Sequence, residues 1–137
     1  LSVARRHAII THMRWMCVVF ALFAVGCAPV CPAGLTAADS VELYFGRGGV
    51  ADGDWDDFVG RSIVPRFPDG MTVFDAAGSW RDPRTGRTAS EASKVLRLIV
   101  PDARTAAPAT QAVIDDYKKR FAQQSVLRVE QRVCHAF

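Results

Sequence analysis

Cys27 follows Ala24, Val25 and Gly26 at the end of the apolar run Trp15 to Val25, and the chemistry that this placement suits is acylation. Cleavage between Gly26 and Cys27 by a lipoprotein-type signal peptidase would free the cysteine to carry fatty chains. Each buried methylene contributes about 0.8 kcal/mol, so two or more chains hold a domain stably at a membrane. The run is shorter than the roughly 20 apolar residues that a spanning helix needs. Removal is therefore the expected fate of the leader, with plain secretion and a retained anchor as the alternatives. Arg14 supplies the positive start, and Met13 rather than Leu1 is the expected initiator, so residues 1–26 read as leader. Ala28, standing where an aspartate would signal retention, favours the periplasmic side of the outer membrane in a host with two membranes.

A second group of chemistry-bearing residues is Arg47, Trp80, Arg81 and Gln124. Two guanidiniums beside an indole could receive a planar anion such as a carboxylate, through charge-assisted paired hydrogen bonds and stacking. The competing reading makes Arg47 and Arg81 surface ion pairs with Glu91 or Asp82, and Trp80 a cover for a sheet edge. Exposed pairs of that kind contribute under about 1 kcal/mol.

Cys31 and Cys134 stand near the two ends of the chain that remains after the leader. An exported compartment permits a disulfide between them, and two separate thiols are the alternative. No metal site is expected, because no further cysteine or histidine has ligand spacing and His135 stands alone. The supply for acid–base or nucleophilic catalysis is equally poor. No serine sits in a nucleophile elbow, and the segment FGRGGVADG lacks the lysine and spacing of a phosphate loop. Asp52, Asp54, Asp56 and Asp57 resemble a calcium loop only superficially, since its sixth position is Asp57 instead of glycine and its twelfth is Ile63 instead of glutamate. The expectation is no catalytic residue, no metal and no cofactor.

The formal charge of the 137-residue chain is +3, with 17 Lys and Arg against 14 Asp and Glu. Arg5, Arg6 and Arg14 account for the whole excess, so the part after Cys27 is neutral. A nucleic-acid binder shows a basic stripe, and this composition argues against that class. About 110 residues after the leader suffice for one compact domain.

The elements that must position these residues follow from periodicity. Residues 27–40 are small, with Pro32 and Gly34, and read as a tether. Val41 to Phe45 alternates as a half-buried strand. Asp52 is placed to cap a helix bearing Trp55, Phe58, Val59 and Ile63 on one face, which Pro65 stops. Met71 to Ala77 reads as a second strand, 78–93 as a long polar hairpin, and Lys94 to Val100 as a third strand. Pro108 suits a helix start, and Val113, Tyr117 and Phe121 follow down one side. Val126 to Val133 closes the series.

The order strand, helix, strand, strand, helix, strand is that of an α+β, ferredoxin-like split βαβ domain (βαββαβ). Its four-stranded antiparallel sheet carries two helices on one face, over residues 41–137. Val41, Leu43, Phe45, Val73, Leu96, Leu98, Leu127 and Val129 are expected to face the helices. Tyr44, Phe74, Glu42, Arg97, Arg128 and Glu130 are expected on the other, open face. Aromatic residues on an open face gain most by mutual burial, which favours a homodimer closed sheet to sheet. In this arrangement Arg47, Trp80, Arg81 and Gln124 gather at one end of the sheet.

The phrases VELYFGR, DWDDFVGRSIVPRFPDGMTVFDAAGSWRD, EASKVLRLIV, YKKRFAQQSVLRV and CHAF, in that order, resemble a bacterial family of small exported proteins catalogued as domain of unknown function 3574. The resemblance covers 41–137 and implies an exported or lipoprotein location and one small α+β domain, without an assigned activity. The resulting expectation is a lipid-anchored cell-envelope protein that binds a small ligand, anionic by the arginine argument, or a protein partner. A small dimeric enzyme acting on an anionic substrate and a structural envelope component are the alternatives.

Overall fold

Val41, Leu43 and Phe45 are fully buried, whereas Glu42 and Tyr44 between them are only partly covered. That period-two alternation is what a strand with one face on a core must show. The computed structural model describes residues 30–136. The expected leader, Met13, the acylated Cys27 and the closing Phe137 lie outside the described residues.

The elements are β1 (Thr36–Gly46), α1 (Asp52–Phe58), β2 (Thr72–Arg81), β3 (Thr88–Val100), α2 (Ala103–Phe121) and β4 (Leu127–His135). The sheet order is β2-β3-β1-β4, with every neighbouring pair antiparallel. This is the split βαβ arrangement that the element order predicted. Both helices cover one face, where Leu43, Phe45, Leu96 and Leu98 meet Trp55, Phe58, Val113 and Tyr117. Phe45, Trp55, Phe58, Tyr117 and Phe121 form a ring cluster, mostly edge to face, with centroids 4.7–6.1 Å apart. Such pairs add about 0.5–1.5 kcal/mol each beyond the area they bury.

Helix boundaries depart from the sequence expectation at both starts. Ala51, not Asp52, is the N-cap of α1, and its methyl side chain offers no cap bond; Asp52 is the first helical residue and its carboxylate accepts from Arg47. The segment then runs on through a π turn, Val59–Ile63, and a 3-10 turn, Val64–Arg66, that contains Pro65. Arg66 ties this end down through Asp116 at 3.0 Å. In α2 the cap is Asp102, whose carboxylate accepts from the Arg104 backbone N–H at 2.8 Å, so Pro108 lies inside the helix and not at its start. The Arg104 side chain and this backbone bond hold the Asp102 carboxyl down at about 2.

The strands are longer than composition suggested. Ladder pairing between β2 and β3 continues from Thr72↔Arg97 to Arg81↔Thr88, so most of the expected hairpin 78–93 is sheet and the turn is only 82–87. Strand β1 likewise starts at Thr36, inside the expected tether, where it pairs with the end of β4 through Thr36↔His135 and Ala37↔Cys134. Beside that pairing Cys31 and Cys134 are joined, with Cα atoms 5.6 Å apart.

The register also reassigns β4. Leu127 is paired with Tyr44 and Val129 with Glu42, and directly paired residues share a face. Leu127 and Val129 therefore lie on the open face, and Leu127 is 60% exposed. Arg128 and Glu130, paired with Leu43 and Val41, lie on the helix side, where they form an ion pair with each other. The physical reason is that β4 is an edge strand beyond the reach of the helices, so long charged stems are tolerated there.

Candidate functional site

The open face of the sheet is hollowed at one end. Gly78 of β2 is paired with Glu91 of β3, and Ser93 of β3 with Gly46 of β1, so three small residues form a floor across three strands. Trp80, two residues beyond Gly78, rises on one side, and Tyr44 with Leu127 rises on the other. The turn after α2, Ala122 to Ser125, closes the rim of an open cleft of about 430 Å³.

Gly48 knits the three rim segments together. Its N–H donates to Glu91 Oε2 at 3.2 Å, and its carbonyl accepts from the Gln123 carboxamide, also at 3.2 Å. Glu91 lies directly over Gly46: a Cβ built on that glycine would stand 2.5 Å from Glu91 Oε1, so the carboxylate would have to swing aside to admit one. From the core side, the Tyr117 hydroxyl donates to the Gly46 carbonyl at 2.7 Å. The floor of the cleft is thus bonded to the main core, and burial pushes that hydroxyl up to about 12. At the rim, Ala122 adopts the left-handed conformation at the end of α2 (φ 52°, ψ 32°), a conformation that glycine normally supplies.

Tyr44 is oriented from its far end. Its hydroxyl donates to Glu42 Oε2 at 2.6 Å, and Arg97 Nε donates to Glu42 Oε1 at 2.8 Å. The bond to Glu42 raises the Tyr44 hydroxyl above its ordinary range, and the same bond, with Arg97, lowers the Glu42 carboxyl. Arg97 also lies over the Phe74 ring, with 5.1 Å to the centroid, further along the same face.

The four residues expected to form an anion site are only half assembled. Trp80 and Gln124 line the cleft; Arg47 and Arg81 do not. The Arg47 side chain is 10% exposed and turned to the helix side, where Nη1 meets Asp52 at 2.7 Å and Nη2 donates to the Val50 carbonyl at 2.7 Å. Arg81 donates to the Gly86 carbonyl across its own turn at 3.0 Å. The reason is positional: on β2, Trp80 shares the face of Gly78, so Arg81 next to it points the other way. The paired-guanidinium arrangement is therefore absent from the cleft. The carboxylate of Glu91, which sequence reasoning treated as an ion-pair partner, stands there instead.

Gly46, Gly78, Ser93 and Gln123 were missed as site residues. The signal available was the i, i+2 spacing of Gly78 with Trp80 and of Glu91 with Ser93, which acquires meaning only once 78–93 is recognised as strand. Among the described residues, no group of histidine, cysteine or carboxylate side chains could hold a metal ion, and no helix is long and apolar enough to cross a membrane.

Among solved structures, the chain is similar to a phage SAM lyase in complex with S-methyl-5'-thioadenosine. The identity is 14% and the TM-score 0.58, over 82% of this chain and 97% of that one. It is also similar to a phage SAM lyase in the apo state, at 16% identity and TM-score 0.54, over 80% of this chain and 97% of that one. At these identities the likeness is one of fold. A search of curated proteins finds no match. The family model described as protein of unknown function (DUF3574) matches residues 34–137. That span exceeds half of the chain, and the chain belongs to this family.

Proposed function

We propose that this protein is a small-ligand-binding module of the cell envelope, held at a membrane by acyl chains on Cys27 and taking its ligand into the cleft on the open sheet face. The observation that carries the reading is the cleft itself: glycine floor, aromatic walls and a carboxylate, in a volume of about 430 Å³. Small-molecule sites are concave, largely apolar and furnished with a few placed polar groups. The likeness in fold to a lyase solved with S-methyl-5'-thioadenosine supports the idea that this architecture accommodates a molecule of nucleoside size.

The test uses S-methyl-5'-thioadenosine as the first probe, with amide and indole resonances of Gly46, Gly78 and Trp80 as the readout. Saturable shifts confined to those residues support the reading, and shifts absent there overturn it for this class of ligand. The anchor is tested separately. Radiolabelled palmitate should enter the protein in its own host, and Cys27→Ser should abolish both the label and membrane attachment.

A small enzyme is the second reading, favoured by the presence of Glu91 in the cleft and by the SAM lyase likeness. Incubation with S-adenosylmethionine and chromatography of the products tests it. Conversion lost in Glu91→Gln would favour the enzyme, and unchanged substrate would favour the binding module.

The other half of the open face supports self-association with a second copy. Phe74 and Ile99 are exposed there, and the Glu42–Arg97 pair leaves no net charge to repel an identical surface. Light scattering at high concentration decides it, a strict monomer being the negative outcome.

A further inference from the structure

We infer that the cleft selects an organic cation, an alkylammonium or sulfonium group on a compact apolar body; this rests on the ligand-binding reading above and names its ligand class. Among the described residues that line the cleft, Glu91 alone carries a charge. The basic residues that could have neutralised it are committed elsewhere. Arg47 is paired with Asp52, Lys94 with Asp75, and Arg97 with Glu42, while Arg81 is bonded to its own turn. Glu91 accepts one backbone bond, from Gly48 at 3.2 Å, which positions the carboxylate without cancelling its charge.

The aromatic walls act in the same sense. The faces of indole and phenol rings carry negative potential and attract cations. Trp80 stands diagonal to Glu91 across the β2–β3 pair, and Tyr44 is held in place by its bond to Glu42. An anion entering the cleft would meet Glu91 at short range, with no cation among the described lining residues to offset it. A neutral ligand of the same shape would gain the apolar contact but strip water from the carboxylate without replacing it, which is costly. A cation alone satisfies both the carboxylate and the rings. A small floor is also needed, since a bulky quaternary head must reach Glu91 from above: Gly46 leaves room for the carboxylate itself, and Gly78 and Ser93 keep the floor low beside it.

The test uses the oxidised protein and two probes of matched shape, choline and its uncharged isostere 3,3-dimethylbutan-1-ol. Titrations follow the Gly46 and Gly78 amides in wild type, Glu91→Gln and Trp80→Leu, with the Trp80 indole as a third readout in the first two. The expected result is choline binding about tenfold tighter than the alcohol, the scale of a desolvated cation–π contact. Glu91→Gln should abolish that preference, and Trp80→Leu should weaken choline several-fold with Glu91 still in place. Unfolding midpoints are recorded alongside, so that a misfolded variant is recognised and Trp80→Leu decides. Equal binding of the two probes to wild type, or a preference that survives Glu91→Gln, overturns the charge assignment and leaves the binding reading standing. Absence of shifts with either probe at all three residues overturns the assignment; if S-methyl-5'-thioadenosine also leaves them unmoved, the binding reading falls with it.

Discussion

Tyr44 and Phe45 are adjacent in one strand and belong to two different kinds of surface. Phe45 is completely buried among Trp55, Phe58 and Tyr117 on the helix-covered face. Tyr44 faces the cleft with a phenol fixed by a carboxylate and an arginine behind it. The covered face is ring against ring, with its exposed positions pushed to the edges. The open face carries aromatics just as large, but spaced by Gly46, Gly78 and Ser93 so that they enclose room instead of filling it. The lesson of the pair is that aromatic content does not distinguish core from site. What distinguishes them is what lies over the face: rings from the two helices close on Phe45, whereas Tyr44 looks across the small residues Gly46, Gly78 and Ser93.

The widest test of that contrast is truncation on each face. Phe58→Ala should cost about 3–5 kcal/mol, the usual range for a fully buried phenylalanine, measured by denaturant unfolding. Trp80→Ala, at a residue 42% exposed, should cost about 1 kcal/mol or less while removing ligand-induced shifts. A loss at Trp80 as large as at Phe58 would erase the distinction between the faces.

Next in size is the disulfide, which lies at the end of β1 away from the cleft. Cys134→Ser should lower stability by about 2–5 kcal/mol, because the bond constrains a long loop in the unfolded chain. Ligand titration of the variant below its unfolding transition should be unchanged. Altered affinity would show that the two ends of the sheet are coupled.

The smallest effect concerns the bond that joins the two faces. Tyr117→Phe removes the donor to the Gly46 carbonyl and should cost about 1 kcal/mol. The folded protein also holds the Tyr117 proton more tightly than the unfolded chain does, about 12 against 10.0. The associated stability is therefore complete below pH 10 and declines as pH rises towards 12. The Phe variant should show a flatter alkaline limb in its unfolding midpoint. An identical limb would mean that other groups control it.

The fold was legible because its signals are local. Val41, Leu43 and Phe45 alternate, Trp55 and Phe58 fall on one helical face, and the element order allows few topologies. The cleft was legible only in fragments. Trp80 and Gln124 were found, but residues 78–93 are so rich in alanine, serine and glycine, with Pro83 among them, that the paired strands there resemble a loop. Small residues are poor strand formers by propensity, yet Ser79↔Ser90 and Ala77↔Ala92 pair because the hairpin and the flanking ladder impose it. The face of β4 was unreadable for a different reason. Leu127 and Val129 alternate with Arg128 and Glu130, and alternation says that two faces exist without saying which one meets the helices. The five-residue step from Arg47 to Asp52, which withdraws the guanidinium from the cleft, depends on the turn between β1 and α1.

The bridge between Cys31 and Cys134 closes residues 31–134 into a covalent ring. A protease that nicks the exposed 82–87 turn opens that ring without releasing either piece. The two halves remain linked through sulfur, and the four strands still have every partner they need. In a compartment rich in secreted peptidases, a single cut would become a scar instead of a disassembly. Reductant would then be required before the fragments could part.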